Sequence, residues 1–397
     1  MRILHTVASV AQRSGGLGRI AMGFAQGQNG HGQTTAVWHL NLAPGSATVV
    51  DELGYCPESV RAFPILGPRQ LGFSPGLERH LIGESGSGFD VVHQHGIWQA
   101  LSRGTQRWHA RFDRPTIVAP HGSLHEHALR RSRLKKRIAR WLYEDSNLAA
   151  ASCLHATAPA EAEAFRRYGL VNPIAIIPPG IPDQWTDTVG DAERFRAAFD
   201  LPADRRIRLF LSRIHPLKGL PLLFEALGQM RREMSDTILA IAGYEQVGHG
   251  DELRQLAAHL GIVDNIRFVG PLFGASKRDA LAASDFFVLP TYTEGYSLAI
   301  AEALGAGVPV LTTYGAPWEE LVTHRCGWWV PIESGAIREA LTEALRVSSS
   351  ERAAMGQRGR DLVRERHTWS RQAARSIALY EWLAGRGDRP DFVVVGD

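Results

Sequence analysis

The stretch "LPTYTEGYSLAIAEALGAGVPVL", from Leu289 to Leu311, combines the end of one strand, a short helix and the start of another strand. Its first apolar run stops at Thr-Glu-Gly, and the Ala- and Leu-rich residues that follow predict a helix ending at Gly305 and Gly307. A second β-branched run begins after Pro309. This order of elements is typical of a parallel sheet with helices on its faces.

Short apolar runs with helical patterns between them recur along the whole chain, as expected for strands buried on both faces of a parallel sheet. The proline cluster in "IIPPGIPDQW" divides them into two series. We therefore predict an α/β protein with two Rossmann-like, doubly wound domains that face each other across a cleft. The first domain spans 1–180 and is completed by a C-terminal helix over 369–385, and the second spans 181–368. The predicted strands are Arg2–Val10, Thr34–His39, Val60–Ile65, Val91–Gln94, Thr116–Pro120, Leu154–Thr157, Ala175–Ile177, Ile207–Ser212, Thr237–Ala242, Ile266–Val269, Phe286–Pro290, Val308–Thr312 and Trp328–Val330.

Composition excludes several classes of protein. A chain of 397 residues with 44% hydrophobic and 21% charged residues is globular and too long for one core. Its formal net charge of +3 gives no nucleic-acid signature. No apolar run reaches the roughly 18–20 residues of a membrane span, and Gln12 and Arg13 come too early for a signal peptide. The spacing of Cys56, Cys153 and Cys326 matches no metal site or disulfide pattern, so we expect a cytoplasmic protein.

The segment "SGGLGRIAMGFA", Ser14 to Ala25, follows the first predicted strand. Gly16 and Gly18 satisfy the dinucleotide pattern G-x-G-x-x-A, but the acidic residue that should follow about 20 positions later is missing before Asp51. This disfavours a nicotinamide or flavin cofactor, and we predict none. We interpret the segment as a loop whose amides approach a diphosphate. The alternative is a tight turn between strand and helix.

Two cations follow the first strand of the second domain, in "LFLSRIHPLKGLPLLFEAL". Arg213 stands at the predicted strand end, and Lys218 stands beside Gly219, where a helix begins. A guanidinium fork and an ammonium at a helix start suit a diphosphate. The alternative is that both are solvated surface cations.

These cations, together with Glu294 and Glu302, resemble the signature of the retaining glycosyltransferases of family 4, which have the GT-B fold. "SGGLGR", "VVHQHGIW", "APHGSL" and "GAGVPVLTT" also resemble motifs of that family, so the resemblance covers nearly the whole chain. One departure is "IAGYEQVG" over 241–248, where relatives carry a Gly-Asp-Gly type turn. The resemblance implies hexosyl transfer from a nucleotide-sugar donor to a sugar or lipid-linked acceptor, in polysaccharide or glycolipid biosynthesis. UDP-sugar is the favoured donor and GDP-sugar the alternative.

The resemblance also implies roles for the two glutamates. Glu294 is expected to contact hydroxyls of the donor sugar, and Glu302 to accept hydrogen bonds from the nucleotide ribose. A carboxylate suits a diol because it accepts two hydrogen bonds and donates none. For Glu302 the alternative is a buried acid satisfied within its own helix. Backbone amides that start the helix can hold a phosphate or a sugar hydroxyl. These amides belong to Gly295, Tyr296, Ser297 and Leu298.

In the first domain, His95 and His121 each follow an apolar strand and precede a glycine. By the resemblance, His121 contacts the donor sugar near the reacting centre, while His95 and Ser123 lie on the acceptor or sugar side. His125 is a weaker candidate. The alternative for both histidines of the motifs is packing at a strand end. No carboxylate of this domain stands out as a nucleophile.

The sequence contains no Asp-x-Asp tripeptide of the kind that holds a metal ion in metal-dependent transferases. We therefore predict no metal, and expect Arg213, Lys218 and the helix-start amides to stabilise the charge that develops on the leaving diphosphate. Retention is implied by the resemblance, and the missing nucleophile favours front-face attack. Two alternatives are a nucleotide-sugar 2-epimerase of the same fold and a non-catalytic nucleotide-sugar-binding partner. The second should lack Arg213, Lys218 or Glu302, and all three are present.

The segment "ALRRSRLKKRIARWLY", over 128–143, is strongly basic. Apolar residues recur in it at helical spacing, which predicts a basic amphipathic helix. We expect peripheral contact with an anionic membrane through 130–142, at the inner face of the plasma membrane. The alternative is a solvated helix that packs its apolar stripe on its own domain. The apolar residues are Leu134, Ile138, Trp141 and Leu142.

Overall fold

The computed structural model describes residues 1–12, 16–42, 48, 50 and 60–396. The chain divides into two compact units, each with its own mainly parallel sheet, which confirms the predicted α/β class with two doubly wound domains. Unit 1 comprises Met1–Pro182 and Thr368–Asp397, and unit 2 comprises Asp183–His367.

Unit 1 contains an eight-stranded sheet in the order β14-β7-β6-β5-β4-β1-β2-β3. All pairings are parallel except that of β14 with β7. The order reverses direction between β1 and β4, where ligands collect in doubly wound folds. The strands are β1 (Arg2–Val7), β2 (Thr34–Leu40), β3 (Val60–Phe63), β4 (Val91–His95), β5 (Thr116–Ala119), β6 (Cys153–Ala156), β7 (Ile174–Ile176) and β14 (Val393–Val394).

The helices of unit 1 cover this sheet, and the last of them comes from the end of the chain. That helix, α17, packs on α1: Trp369 contacts Phe24 with ring centroids 5.3 Å apart, and Gln28 donates to the Ser376 hydroxyl at 2.9 Å. The helices are α1 (Gly16–Gly30), α2 (Pro75–Ile82), α3 (Glu84–Ser87), α4 (Leu101–Phe112), α5 (Glu126–Arg130), α6 (Arg133–Ala139), α7 (Asp145–Ala150), α8 (Pro159–Tyr168) and α17 (Trp369–Leu383).

Unit 2 contains a six-stranded parallel sheet in the order β10-β9-β8-β11-β12-β13. Its order reverses between β8 and β11. The strands are β8 (Arg206–Leu211), β9 (Thr237–Ala242), β10 (Ile266–Gly270), β11 (Phe286–Leu289), β12 (Val310–Thr313) and β13 (Gly327–Val330). The helices are α9 (Ala192–Ala198), α10 (Leu220–Gln229), α11 (His249–Leu260), α12 (Gly274–Ala282), α13 (Leu298–Gly305), α14 (Glu320–Thr323), α15 (Ser334–Arg346) and α16 (Ser349–Arg366).

The prediction of one continuous basic helix over 128–143 is wrong. The chain leaves the helical conformation after Arg130, and Ser132 adopts a left-handed φ of 51° before α6 begins. A π-helical turn, Arg140–Glu144, then follows α6. The break is compatible with the local hydrogen bonds because the Lys136 ammonium donates to the carbonyl of Ala128 at the end of α5.

Two of the three cysteines lie in the described part of the chain, and both are buried free thiols. Burial raises the pKa of Cys153 and of Cys326 to about 12, so these thiols are protonated and pack as small apolar groups. Cys56 lies outside the described residues. No helix in the described ranges has the length and apolar content that crossing a membrane requires.

Candidate functional site

The predicted site residues of unit 2 follow β8 and β11, the neighbouring strands at which the sheet order reverses. Lys218 ends a short 3-10 turn, Pro216–Lys218, and Gly219 follows it with a left-handed φ of 71°. A Cβ atom at Gly219 would lie 1.7 Å from the backbone oxygen of Pro290, so only glycine permits this approach. The turn after β8 is therefore pressed against the end of β11.

This packing brings two predicted site residues together. The Lys218 ammonium lies 2.5 Å from a carboxylate oxygen of Glu294, and both side chains are largely buried, 8% and 15% exposed. Because the pair is shielded from water, its attraction is stronger than that of a surface ion pair. Part of the positive charge of Lys218 is therefore already compensated by Glu294.

Arg213, the other predicted cation, is exposed after β8. One Nη donates to the Gln246 side-chain oxygen at 3.2 Å. Gln246 belongs to "IAGYEQVG", the segment that departs from the resembling family. The departure thus supplies a neutral partner that holds Arg213 without cancelling its charge.

The turn between β11 and α13 is strained at Ser297, which has φ 78° and ψ 90°. A non-glycine residue in this region costs about 1–3 kcal/mol, and such costs cluster at functional sites. In the described chain, no acceptor is found for the backbone amides of Tyr296, Ser297 and Leu298. The start of α13 therefore offers donors to a ligand, as predicted for an anion or hydroxyl site.

The side chain of Tyr296 does not take part in such a site. It is buried, and its hydroxyl lies 2.9 Å from Nδ1 of His367. Its carbonyl accepts from the Trp318 indole at 2.5 Å, and burial raises its pKa well above 10. Tyr296 can therefore offer a ligand only its backbone amide.

Glu302 forms a buried ion pair that the sequence did not reveal. The Lys277 ammonium lies 2.9 Å and 3.0 Å from its two carboxylate oxygens, and the side chains are 6% and 8% exposed. Lys277 is 25 positions away on α12, with no local signal to mark it. The pair means that Glu302 does not need a ligand to satisfy its charge.

In unit 1, His121 lies in a turn after β5 that an acidic residue holds in place. His121 and Gly122 both have positive φ, 50° and 76°. The carboxylate of Glu161 accepts from the amide of Gly122 at 2.5 Å and from the amide of Thr157 at 2.8 Å. Sequence reasoning missed Glu161 because it lies in the first turn of an ordinary amphipathic helix, where an acidic residue is common.

A second buried carboxylate holds the loop after β4. Glu144 accepts from the amide of Trp98 at 2.6 Å and from the Ser102 hydroxyl at 3.0 Å. Burial raises its pKa to about 7, against the lowering effect of these hydrogen bonds. The buried Glu144 side chain thus holds the loop that follows His95 without contact to a ligand.

His95 and His121 contact each other through Nδ1 and Nε2, 3.1 Å apart. They belong to a cluster of five rings, the histidine cluster. Its other members are His5 of β1, His93 of β4 and His155 of β6. Desolvation lowers the pKa of His5 and His155 to about 4 and that of His121 to about 3. It lowers the pKa of His93 and His95 well below 6.5. All five rings are therefore neutral near pH 7.

The predicted glycine loop is only partly described. Ser14 and Gly15 lie outside the described residues, and Gly16 and Gly18 form the first turn of α1 rather than a loop. A Cβ atom at Gly18 would lie 2.7 Å from the backbone oxygen of Ser9, so this glycine permits α1 to pack against the end of β1. Close packing accounts for Gly18 without a ligand.

Ser123 and His125 lie in the turn that His121 begins. The Ser123 amide donates to the Pro120 carbonyl at 3.2 Å, and the His125 amide donates to Gly122 at 3.2 Å. The Ser123 carbonyl accepts from the Trp98 indole at 3.4 Å. These contacts are structural, and they place both residues beside His121.

The basic segment exposes its apolar side chains. Leu134 is 77% exposed and Trp141 is 84% exposed, while Ile138 and Leu142 exceed half exposure. The residues that pack inward are instead Ala139 and Tyr143. A cavity of about 770 Å³ lies along this surface. It is lined by Leu129, Arg133, Leu134, Lys136, Arg137, Arg140, Trp141 and Asp145.

Each unit of the chain matches a known protein family. Residues 15–180 match the family described as "Glycosyl transferase 4-like domain", and residues 191–362 match "Glycosyl transferases group 1". The chain is 30% identical over 333 residues to D-inositol 3-phosphate glycosyltransferase of Streptomyces avermitilis, covering 79% of this chain and 70% of the relative. It is 32% identical over 287 residues to the protein of that name from Streptomyces scabiei, covering 68% and 63%.

Solved structures resemble the chain over nearly its whole length. Sucrose-phosphate synthase from Thermosynechococcus elongatus has a TM-score of 0.75 at 19% identity, with 98% of this chain and 100% of that chain covered. Anabaena HepE in complex with UDP-glucose has a TM-score of 0.75 at 20% identity, with 96% and 100% covered. At these identities the likeness supports the GT-B fold alone.

Proposed function

The chain belongs to the glycosyltransferase family of these relatives, and we propose that it moves a sugar from a nucleoside diphosphate sugar to an acceptor hydroxyl with retained configuration. The observation that carries this proposal is the Lys218–Glu294 pair beside the amides that start α13. A cation and helix-start amides suit a diphosphate, and a carboxylate suits sugar hydroxyls. UDP-sugar is favoured over GDP-sugar because HepE, a protein of the same fold, has been solved with UDP-glucose.

On the donor side, Arg213 and Lys218 bind the diphosphate, and the amides of α13 bind a phosphate oxygen or a sugar hydroxyl. Glu294, held in place by Lys218, accepts hydrogen bonds from the donor sugar. Glu302 accepts from the ribose through a carboxylate that Lys277 keeps oriented. A preorganised charge costs no rearrangement when the glycosyl–phosphate bond breaks.

At the reacting centre, the bond between the anomeric carbon and the diphosphate oxygen breaks, and the acceptor oxygen bonds to the same face of that carbon. The departing phosphate takes the proton of the acceptor hydroxyl. Arg213, Lys218 and the helix-start amides stabilise the negative charge left on the diphosphate, so the reaction needs no divalent metal. His121 contacts the sugar.

For the acceptor, a polyol or sugar hydroxyl is proposed, either in a small phosphorylated molecule or on a lipid carrier. The relatives named as D-inositol 3-phosphate glycosyltransferases make that compound the first to test. The basic surface over 130–142 favours an acceptor held at an anionic membrane, in polysaccharide or glycolipid synthesis.

The membrane contact rests on a specific observation: the apolar side chains between the basic residues point outward. Leu134 and Trp141 are at least three-quarters exposed, so the stripe does not pack on its own unit. Exposed Trp and Leu among Arg and Lys are the composition of interfacial helices. Each basic residue near anionic lipid contributes about 1 kcal/mol.

Vesicle co-sedimentation tests this contact. Wild-type protein should bind vesicles rich in phosphatidylglycerol at low salt, and the triple variant R130E/R131E/K135E should not. Lys136 is spared because it donates to the Ala128 carbonyl and supports the fold. Trp141→Ser should weaken binding, whereas Val189→Ser in unit 2, at a side chain 80% exposed, is the matched control and should not. Wild-type protein that stays in the supernatant contradicts the proposal.

Thermal stabilisation by a panel of nucleotide sugars tests the proposed donor. A bound ligand raises apparent stability by RT ln(1 + [L]/Kd), about 2.7 kcal/mol at one hundred times Kd. UDP-sugars should stabilise wild-type protein, and Lys218→Met should abolish the effect. Release of UDP only in the presence of an acceptor separates transfer from epimerisation, and no stabilisation by any nucleotide sugar rejects the proposal.

A further inference from the structure

The histidine cluster is part of a chain of hydrogen bonds. The groups at the end of this chain determine which atom donates in each bond. The Ser376 hydroxyl donates to the Ala373 carbonyl at 2.8 Å, so its oxygen is left to accept Nε2 of Gln28 at 2.9 Å. This orients Gln28 with Oε1 facing Nε2 of His5 at 2.8 Å. Because a carbonyl oxygen only accepts, His5 carries its proton on Nε2.

From His5 the same reasoning leads to His121. A neutral His5 protonated on Nε2 has a bare Nδ1, which accepts Nε2–H of His95 at 2.9 Å. The bare Nδ1 of His95 in turn accepts Nε2–H of His121 at 3.1 Å. His121 is left with a bare Nδ1, for which the described residues provide no donor.

A second branch starts at the same glutamine and has the same polarity. Nε2 of Gln28 donates to the Tyr380 hydroxyl at 3.2 Å, and that hydroxyl donates to Nδ1 of His93 at 2.7 Å. Nε2 of His93 donates to Nδ1 of His155 at 3.1 Å, and Nε2 of His155 donates to the Ile177 carbonyl at 2.6 Å. The Ile177 carbonyl only accepts, so it requires a proton on Nε2 of His155 and sets the direction of each bond back to Gln28. The orientation of Gln28 obtained in this way is the one that Ser376 requires.

Three of the rings also have a spacing that a metal ion could use. The ligand nitrogens of His5, His93 and His95 lie within 4.8 Å of one another. A metal needs a lone pair from each ring, whereas Nε2 of His95 donates its proton to Nδ1 of His5. Hydrogen bonding therefore accounts for the cluster, and a metal would have to break it.

We propose that the first branch positions His121 in the tautomer protonated on Nε2, which makes its Nδ1 an obligate acceptor for a ligand hydroxyl. The positioning residues are Ser376, Gln28, His5 and His95. A second proton on His5, His95, His93 or His155 would place two donors face to face, so the hydrogen bonds keep these four rings neutral. The identity of the hydroxyl rests on the proposed function, in which His121 contacts the donor sugar.

Nitrogen NMR of the full-length protein labelled with [15N]histidine tests the tautomer directly, since protonated and bare ring nitrogens differ widely in chemical shift. At pH 7.5, His121 should show a protonated Nε2 and a bare Nδ1, with its signals identified by their loss in His121→Gln. A proton on Nδ1 would overturn the inference. So would a stoichiometric metal ion in the purified protein by elemental analysis.

Two variants separate positioning from mere structural support. Gln28→Met removes the acceptor that orients His5, so the His121 ring should sample both tautomers. Tyr380→Phe breaks only the second branch and leaves the Gln28–Ser376 bond, so His121 should keep its wild-type tautomer. An unchanged spectrum in Gln28→Met, or the same change in both variants, contradicts the inference. If Gln28→Met does not fold, His5→Phe removes the next link while keeping an aromatic ring.

The functional consequence is measured on the ligand. If half of the His121 rings adopt the wrong tautomer, affinity for a UDP-sugar falls about twofold, because only the competent fraction binds. Affinity for UDP alone should not change, since UDP lacks the sugar hydroxyl. A correct wild-type tautomer with unchanged UDP-sugar affinity in Gln28→Met rejects the ligand role of His121. Absence of UDP-sugar binding in wild-type protein instead rejects the proposed function.

Discussion

Lowering the pH from 7 to 5 should selectively destabilise unit 1, because its histidine cluster is neutral and buried. In the unfolded chain these histidines have a pKa near 6.5, whereas in the folded chain the pKa of His5 and of His155 is about 4. Between these values each ring binds a proton only on unfolding. The free energy of unfolding therefore falls as the pH drops below 6.5 and levels off near 4.

The size of the effect follows from the two shifted values. A ring that is charged only in the unfolded state lowers the free energy of unfolding by up to about 1.4 kcal/mol per pH unit. Integrated from pH 7 to pH 5, this is about 2 kcal/mol per histidine, or about 4 kcal/mol for His5 and His155 together. The lowered pKa values of His93, His95 and His121 act in the same direction. The raised pKa of Glu144, about 7, acts in the opposite direction and offsets about 2 kcal/mol, because this carboxyl group binds its proton in the folded chain first.

Native-state hydrogen exchange followed by mass spectrometry measures the effect with an internal control. Opening free energies, corrected for the intrinsic rate at each pH, should fall by about 4 kcal/mol or more in peptides of β1 and β4. Peptides of β9 in unit 2, a fully buried strand without titratable residues, should change much less. A loss below about 1 kcal/mol in unit 1, or equal losses in both units, would refute the neutral, buried cluster.

Three further predictions concern unit 2. Glu302→Ala should lower UDP affinity at least tenfold by calorimetry, since a charged hydrogen bond is worth about 1.5–3 kcal/mol. Lys277→Met breaks the same buried ion pair but keeps the carboxylate, so it should keep more of that affinity. Arg208→Met should leave the free energy of unfolding unchanged or raise it, because the buried guanidinium has no hydrogen-bond partner in the described chain. A urea titration that shows a decrease of more than about 2 kcal/mol contradicts this. Ser297→Gly should raise thermal stability by about 1 kcal/mol through relief of its positive φ, and a lower melting temperature would show that Ser297 is not strained.

The strands of both sheets were predictable from the sequence because they are short apolar runs buried on both faces. Each of the thirteen predicted strands is present, with ends shifted by at most three residues. The missed strand, Val393–Val394, has only two residues at the edge of its sheet, too short for any periodicity. The predicted family and enzyme class are confirmed by the relatives.

The basic segment shows where local pattern fails. Its apolar spacing predicted one helix, but the break at Ser132 depends on a left-handed backbone angle that no side-chain pattern encodes. The same spacing could not tell whether the apolar stripe packs inward. In the structure the apolar stripe is exposed, and Trp141 has the largest exposed fraction of its side chains.

The site was predictable only where its residues follow strands in sequence. Lys218 and Glu294 lie in the loops that follow the neighbouring strands β8 and β11, so topology places them at the same edge of the sheet. Lys277 and Tyr380 lie in helices with ordinary patterns, and their partners are 25 and 287 positions away in sequence. Such contacts are created by tertiary packing, and no local spacing signals them.

One transfer reaction followed by proton NMR tests the proposed mechanism most directly. Purified protein is mixed with the UDP-sugar that stabilises it most, an acceptor and excess EDTA. We predict a glycosylated product with the anomeric configuration of the donor, at the same rate as without EDTA, and no turnover by R213A/K218A. An inverted product, or activity lost to EDTA and restored by magnesium or manganese, would contradict the mechanism.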